Sequence, residues 1–338
     1  MPVAPITLVS ALHDVDAARI AARLSDGHRL HAPGSALAAA RTIADRAERL
    51  GDVCGPGARH SLVVTLPVGT DARAVGMMLA NAARAETGDD RVLRHVVSVL
   101  RADEVEHLLW SGVDDAFVAG ERLAALVEYA TVIVLDRTER LPPARRRALV
   151  ALVHRCAPQA VVLADARVRT AEDLPASNGG AARVLAGGAG WMRALSSGAD
   201  EVRPRTLDGL VSFRYRDPLP FHPARLADVV EHDLAAGPAG RVLRSRGFFR
   251  LASRPDHVGS WSSVGAMLAL DPTANPSWDE DAPIGQALWF VGEDLDVDRV
   301  TRALDGALIT PTELLAGPGL WRSWADPFPV WPALDRGE

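Results

Sequence analysis

The feature that most constrains the fold is an alternation of short apolar runs with helical segments through the first half of the chain. The apolar runs, rich in β-branched residues, are Ile6–Ala11, Ser61–Leu66, His95–Leu100, Thr131–Leu135 and Ala160–Leu163. Such runs are typical of buried strands. The segments with helical spacing are Asp16–Leu24, Ala36–Leu50, Ala72–Ala85, Gly120–Tyr129 and Pro143–Cys156. The alternation predicts βαβ units around a doubly wound, mostly parallel α/β sheet.

The second half of the chain has a different texture. Residues 175–204 are rich in Gly, Ala and Ser and predict a linker without a long regular element. Beyond residue 205, strand-like runs alternate with Gly and Pro turns, which predicts a smaller α+β domain. We therefore divide the chain into residues 1–174, a linker at 175–204, a second domain at 205–331 and a tail at 332–338.

The composition excludes one group of mechanisms. All 37 residues counted as lysine or arginine are arginine, so chemistry that requires a lysine side chain is closed to this chain. A net charge of -6 gives no overall attraction to nucleic acid or to anionic lipid, and we expect no direct DNA binding and no membrane association. The N-terminus lacks the pattern of a signal peptide, and only two cysteines are present, so we expect a cytoplasmic protein.

A set of ordered motifs in the second domain carries a family resemblance. The motifs are Phe221-His222-Pro223-Ala224-Arg225-Leu226, Val242–Phe249, Leu251–Asp256, Trp261–Gly265 and Asp326–Trp331. Their order resembles the C-terminal domain of the CobW family of GTP-binding metal chaperones, over about residues 205–331. We identify the chain as a member of that family. The resemblance implies a P-loop-like G domain in the first half, with GTP, Mg²⁺ and Zn²⁺ as the family's cofactors.

The loop after the first strand departs from a working P-loop. Glycines, a lysine and a Ser or Thr normally surround the phosphates and Mg²⁺. The corresponding segment here begins with Leu12 and His13 and contains Asp14, Asp16 and, at the lysine position by approximate alignment, Ala17. The two carboxylates would repel a triphosphate, and they are alternatively explained as caps of a helix N-terminus.

The other nucleotide motifs implied by the resemblance have also lost the residues that would bind Mg²⁺ and guanine. Arg101 stands where a family member has an Asp that faces Mg²⁺, and Asp136, Arg137 and Glu139 replace the guanine-reading motif Asn-Lys-x-Asp. The sequence therefore predicts a degenerate G domain with no nucleotide catalysis and no independent active site. We assign no catalytic residue.

The family's Gly-Cys-x-Cys-Cys metal motif has only a partial counterpart. Asp52 and Cys54 remain, and His60 is close in sequence. These three side chains are candidate ligands for zinc, which needs at least three protein ligands or a ligand from a partner. The alternative is that Cys54 is a loop residue left over from the ancestral motif.

Candidate partner-binding residues lie in the second domain. His222 is either a ligand or contact residue, or a histidine packed beside a proline turn, and Arg225 belongs to the same motif. Strand alternation would place Arg244, Arg246 and Arg250 on one face, with Arg254 in the adjoining turn. These arginines form either a cationic strip for phosphate or acidic protein, or a solvated sheet face.

The sequence leaves three functions open. The first is a non-catalytic adaptor of metal homeostasis with a protein or ribonucleoprotein partner, similar to actinobacterial CobW-like proteins that are linked to zinc starvation and ribosomes. The second is a zinc metallochaperone that retains GTP binding and residual GTPase activity through altered motifs. A third, smaller possibility is a small-molecule site in the old nucleotide cleft, since the switch-point crevice of such sheets is where ligands bind.

Overall fold

The computed structural model describes residues 3–54, 61–87, 92–110, 117–175, 181–186, 188–196, 205–234 and 239–332. The chain divides into two compact units. The first consists of Met1–His107 and Val118–Arg193, and the second of Leu108–Phe117 and Ala194–Glu338. Among the described residues, no helix is long and apolar enough to cross a membrane.

A parallel sheet forms the centre of the first unit. Its six strands within the described residues lie in the order β2-β3-β1-β4-β5-β6. Their bounds are β1 Ile6–Ala11, β2 Arg29–His31, β3 Leu62–Thr65, β4 Leu93–Arg101, β5 Val132–Asp136 and β6 Val161–Ala164. This arrangement confirms the predicted parallel α/β class. All the carboxyl ends of these strands meet at one edge, where ligands bind in open α/β sheets.

Helices cover both faces of this sheet. They are α1 Asp14–Leu24, α2 Ala36–Cys54, α3 Ala72–Thr87, α4 Ala102–Trp110, α5 Phe117–Glu128, α6 Pro143–Cys156, α7 Ala181–Ala186 and α8 Gly190–Ser196, of which α4, α5 and α8 cross the division between the units in sequence. Because side chains alternate along a strand, Ile6 and Leu8 pack with α2, α3 and α7, whereas Val9 and Ala11 pack with α1.

The segment predicted as a linker contains the whole of α7 and α8. Ala181 and Leu185 of α7 are buried in the core formed with α2 and α3, so residues 181–186 are a packed element of the first unit. The expectation of a linker there was wrong. A segment rich in small residues still forms a helix when the apolar face of that helix packs into a hydrophobic core. Gly76 of α3 provides the space, since a Cβ there would lie 2.4 Å from Leu185 Cδ1.

The second unit is built on an antiparallel sheet. Its described strands follow the order β11-β10-β9-β12-β8-β7. Their bounds are β7 Arg205–Leu207, β8 Leu210–Asp217, β9 Arg241–Phe249, β10 His257–Val264, β11 Met267–Pro276 and β12 Gln286–Glu293. Three helices accompany them, α9 Pro223–Val229, α10 Val297–Ala307 and α11 Pro311–Trp321, with a π-helical turn at Val230–Leu234 after α9. The predicted α+β character of this part is confirmed.

Aromatic side chains dominate the core of the second unit. Phe249, Trp261 and Phe290 are almost fully buried and meet edge to face. Trp331 from the end of the chain joins them, 5.8 Å from the Phe249 ring, and its indole N–H donates to the Leu270 carbonyl at 3.1 Å. The C-terminal aromatic motif is therefore a packing element of this sheet, since such rings bury a large area with few rotatable bonds.

Candidate functional site

The loop after β1 turns directly into a helix. Helix α1 begins at Asp14, and the backbone N–H of Asp16 donates to the His13 carbonyl at 3.0 Å. His13 is the N-cap residue and makes no side-chain capping bond. Asp14 and Asp16 lie inside the first turn instead of capping it, where their charges suit the helix dipole. Ala17 is buried against the sheet, so its position offers no group to a phosphate.

An ion pair occupies the centre of the switch-point edge. Asp16 is 5% exposed, and its Oδ2 lies 2.7 Å from Nε of Arg101, the last residue of β4. A second arginine, Arg19, lies 3.7 Å from the same carboxylate, one helical turn along α1. Arg101, which the family resemblance places at the Mg²⁺-facing position, therefore neutralises the carboxylate of Asp16.

Arg19 connects this pair to the ends of two further strands. Its guanidinium donates to Asp136, the last residue of β5, and to Asp165, which follows β6, each at 2.8 Å. Burial alone would lower the pKa of Arg19, but the hydrogen bond to Asp165 and the charges of Asp165, Asp136 and Asp16 outweigh it and raise that pKa. Arg23 adds a second contact to Asp165 at 3.1 Å.

A second layer of charges surrounds the inner one. Asp103 lies 3.5 Å from Arg137 and 3.4 Å from Arg140. His13 Nε2 lies 2.7 Å from Glu104 Oε1. Arg137 adopts a left-handed backbone conformation (φ 56°) at the start of a 3₁₀ turn.

Asp14 and Glu139 complete the predicted nucleotide motifs. Asp14 accepts a hydrogen bond from the Val68 backbone N–H at 3.0 Å, whereas Glu139 is exposed on the 3₁₀ turn. The structure therefore brings together every predicted nucleotide-motif residue except Glu139, which stands apart, and Ala17, which is in the core.

The charges at this edge are nearly balanced within the described residues. The five arginines and six carboxylates are Arg19, Arg23, Arg101, Arg137 and Arg140, and Asp14, Asp16, Asp103, Glu104, Asp136 and Asp165. A triphosphate with Mg²⁺ needs backbone N–H groups, a cation aimed at the phosphates and a hydroxyl on the metal. The residues here do not fit that group, because the arginines already neutralise carboxylates of the chain.

Six members of this network were not predicted from the sequence: Arg19, Arg23, Asp103, Glu104, Arg140 and Asp165. Arg19 and Asp165 match no nucleotide motif, but each had a detectable signal. Arg19 is three residues after Asp16 on the same helix face, and Asp165 immediately follows an apolar strand, at the edge where the other charges meet.

The predicted metal ligands fall largely outside what the structure describes. Asp52 is exposed in the last turn of α2. The side chain of Cys54 and all of His60 lie outside the described residues. Within the described part of the chain, no group of three His, Cys, Asp or Glu side chains is placed to hold a metal ion.

The predicted arginine strip is not a continuous exposed face. Arg244 is 2% exposed and donates to Ser262 Oγ at 3.0 Å and to the Ser263 carbonyl at 2.9 Å. Arg250 is half-buried, with two bonds to the Pro283 carbonyl, and its burial lowers its pKa. Neither alternative, a cationic strip or a solvated sheet face, describes Arg244 and Arg250, because their guanidinium groups donate to hydroxyl and carbonyl groups inside the unit.

The other arginines of that set also have structural contacts. Arg254 donates to Asp326 Oδ2 at 2.8 Å and to the Phe328 and Pro329 carbonyls, and its guanidinium lies 4.4 Å from the Trp331 ring centre. Through these contacts Arg254 holds residues 326–331 in place. Arg246 is partly buried on β9.

His222 and Arg225 support the start of α9. His222 stacks on Trp324 with ring centres 4.5 Å apart, and burial followed by the charge of Arg225 lowers its pKa. Arg225 donates hydrogen bonds to both carboxylate oxygens of Glu313, at 3.0 and 2.7 Å, and this interaction lowers the pKa of Glu313 to about 2. Both side chains hold the fold together at this point, as the packing alternative for His222 proposed.

The fold and this edge define a class of protein: a parallel α/β unit with internal ion pairs at the carboxyl edge of its sheet, followed by an antiparallel α+β unit. Residues 210–308 match the family model described as the cobalamin synthesis protein cobW C-terminal domain. The match assigns residues 210–308, within the second unit, to that C-terminal domain.

The chain is also similar to individual known proteins. It is 27% identical over 236 residues to "Zinc-regulated GTPase metalloprotein activator 1" of Dictyostelium discoideum, covering 62% of this chain and 48% of that protein. The chain thus spans about half the length of this curated relative. Two solved structures of YjiA GTPase, the Zn(II)-bound Escherichia coli protein and a Zn(II)-bound triple mutant, align over 91% of this chain and 100% of theirs, with 13% and 14% identity and TM-scores of 0.34.

Proposed function

We propose that this CobW-family protein is a pseudo-GTPase that serves as a partner-binding module in zinc homeostasis. One observation carries the proposal. The pair between the buried Asp16 and Arg101, extended by Arg19 to Asp136, lies at the positions that the family resemblance assigns to GTP and Mg²⁺ binding.

A bound triphosphate would compete with the chain's own carboxylates for Arg19 and Arg101. To bind a triphosphate, Arg19 and Arg101 would have to leave carboxylates that are mostly shielded from water. The unpaired Asp16 would then remain buried beside the phosphates, and breaking a buried pair in this way costs about 3–5 kcal/mol. The loop offers no glycine-lined row of N–H groups that would return this energy.

GTP binding can be measured directly on the purified chain. We expect no saturable binding of fluorescent GTP with Mg²⁺ up to about 1 mM, which corresponds to about -4 kcal/mol. The variant Asp14→Asn removes an exposed negative charge from the first turn of α1, and Asp45→Asn removes one from the solvent-exposed face of α2 as a matched control. Micromolar affinity that rises in Asp14→Asn but not in Asp45→Asn would overturn the proposal.

The partner in this proposal is a protein or ribonucleoprotein, and the ribosome is the candidate implied by the resemblance to zinc-starvation proteins. The test is sedimentation of lysate from zinc-starved and zinc-replete cells on sucrose gradients. We expect co-migration with ribosomal fractions that depends on zinc starvation. Absence from every ribosomal fraction would remove the ribosomal version of the proposal, and the GTP measurement would still test the pseudo-GTPase part.

A second candidate function is a zinc metallochaperone that still binds GTP. It is favoured by the similarity to the Dictyostelium protein named zinc-regulated GTPase metalloprotein activator 1. Zinc competition against a chromophoric chelator distinguishes the two candidates when it is carried out on the wild type and on Cys54→Ser. Submicromolar zinc binding that Cys54→Ser abolishes, together with GTP binding, would favour the metallochaperone. Cys156→Ser is the control, because that cysteine is buried on α6.

A further inference from the structure

A cleft of about 400 Å³ opens in the first unit at the carboxyl end of β1. Its walls are Ser10–Leu12 at the end of β1, Pro67–Arg73 after β3, and the α5 side from Arg122 to Tyr129. The volume lies within the range of about 300–1,000 Å³ found for small-molecule pockets. The cleft is therefore large enough for a ligand of single-ring size.

The lining of this cleft contains no residue of the ion-pair network, and its one contact with that network is the hydrogen bond from the Val68 backbone N–H to Asp14, within the described residues. Ser10 shares the face of β1 with Ile6 and Leu8, which pack with α2, α3 and α7. Helix α1 covers the other face through Val9 and Ala11. Because neighbouring side chains on a strand point to opposite faces, the Ser10 wall lies across the sheet from Asp16 and Arg19. A ligand in the cleft does not need to break the ion pairs.

The inner wall contains a buried hydroxyl that the fold does not use. Ser10 is 4% exposed, and its Oγ has no hydrogen-bond partner among the residues that the structure describes. Its neighbour across the ladder, Ser98, differs, because its hydroxyl donates to the Leu126 carbonyl at 2.7 Å. An unsatisfied buried hydroxyl costs about 1–3 kcal/mol, so its presence calls for a reason beyond folding.

The outer walls carry positive charge. Arg122 is exposed on α5 with Nη2 close above Gly69, and within the described chain it has neither an ion pair nor a hydrogen bond. Arg73 lies 4.6 Å above the Tyr129 ring centre, and its Nε donates to the Leu185 carbonyl at 3.4 Å. The cleft thus combines two guanidinium groups with an aromatic surface.

The one acidic side chain that lines the cleft is already engaged. Asp71 accepts a hydrogen bond from the Ala74 backbone N–H at 3.0 Å, at the start of α3. Two arginines against one carboxylate leave a net positive charge on the lining. Val68, Ala125 and Leu126 add apolar surface beside them. This lining favours an anion that has an apolar body.

We propose that the cleft binds a small organic anion, a carboxylate or phosphate monoester carried on a body of about one aromatic ring. Arg122 and Arg73 neutralise the anion, Tyr129 and Leu126 contact the ring, and the Ser10 hydroxyl donates a hydrogen bond to the ligand. Such sites combine a mostly apolar wall with a few polar groups that fix orientation. This function is additional to partner binding and does not depend on the fate of the GTP site.

The experiment is isothermal titration of the full chain with phenyl phosphate, benzoate and, as a neutral probe of similar size, benzyl alcohol. We expect one site per chain and an affinity for at least one anion about tenfold or more above that for benzyl alcohol, since hydrogen bonds to charged groups have about that effect. Preference for phenyl phosphate over benzoate, or the reverse, identifies the anionic group. Failure of both anions to saturate at millimolar concentration would overturn the proposal.

Three variants locate the site. Arg122→Gln should weaken anion binding about tenfold, whereas Arg146→Gln on α6, an exposed arginine away from the cleft lining, should not change it. Ser10→Ala should weaken binding severalfold without lowering the melting temperature, because it removes a buried hydroxyl that has no partner. Equal affinities of Arg122→Gln and Arg146→Gln, or unchanged binding with a lower melting temperature in Ser10→Ala, would contradict the assignment.

Discussion

Arg101→Gln tests the central claim that an internal ion pair has replaced the Mg²⁺ and phosphate contacts. At the 2.7 Å separation from Asp16, the gross attraction at an effective dielectric constant of 20 is about 6 kcal/mol. Arg19, 3.7 Å from the same carboxylate, retains part of it after the substitution. With desolvation included, we expect a loss of about 3 kcal/mol, near the lower end of the values for broken buried pairs.

The assay is thermal and urea unfolding of the wild type, Arg101→Gln, Asp16→Asn and the double variant. A loss of about 3 kcal/mol corresponds to a fall of about 6–12 °C in the transition of a unit of this size. The double-mutant cycle should give a coupling energy of at least about 1.5 kcal/mol, since the two groups are in contact.

The matched control is the exposed pair formed by Arg49 and Asp45 on α2, whose side chains are 71% and 67% exposed. The cycle of Arg49→Gln with Asp45→Asn should give about 0.5 kcal/mol or less. The ion pair does not have the proposed role if Arg101→Gln lowers the free energy of unfolding by less than about 0.5 kcal/mol. The same holds if the coupling energy between Arg101 and Asp16 is no larger than that of the control pair.

Three further predictions concern single buried or partly buried groups. His95 is 1% exposed, and burial followed by the charge of Arg94 lowers its pKa to about 4. The unfolded chain therefore binds more protons than the folded chain between pH 6.5 and 4, so up to about 3 kcal/mol of stability should be lost as the pH falls through that window. His95→Leu should remove this dependence in urea unfolding, and an unchanged pH profile would contradict the assignment. Arg225→Ala should lower the melting temperature at pH 7 and raise the pKa of Glu313, measured by NMR titration, towards its ordinary value; a pKa that stays near 2 would show that Arg225 is not the cause. Arg244→Ala should cost about 2–4 kcal/mol in unfolding, because it leaves buried hydroxyl and carbonyl groups of β10 without their donor, and a cost below about 1 kcal/mol would indicate that the guanidinium is not required.

The elements predicted from sequence differ in how well they agree with the structure, and the reason is the strength of their periodic signal. Strand β1 and helix α6 have the bounds that the pattern indicated. Strand β2, Arg29–His31, was missed because three residues with one apolar side chain carry too little periodicity to identify. It is an edge strand, and its hydrogen bonds to β3 hold it in the extended conformation that its own sequence does not specify.

The candidate sites were predictable to a smaller extent. Asp16, Arg101 and Asp136 were identified by their places in degenerate motifs, and the structure brings them to one edge because they follow or end neighbouring parallel strands. The arginines of β9 were assigned to one face by alternation, but alternation does not indicate whether that face is covered. Arg244 is buried, and Ser262 and Ser263 on β10 accept the hydrogen bonds that its guanidinium would otherwise make to water.

The sequence by itself determined the parallel α/β class, the CobW resemblance of the second half and the absence of lysine chemistry, since these follow from periodicity, motif order and composition. Only the tertiary structure decided which charge neutralises which. Asp16 and Arg101 are 85 positions apart, and Arg19 and Asp165 are 146 apart. No local pattern specifies such pairs, because their distances depend on strand order and register. The same is true of Ser10, whose hydroxyl lacks a partner among the described residues and lines the cleft proposed to bind an organic anion.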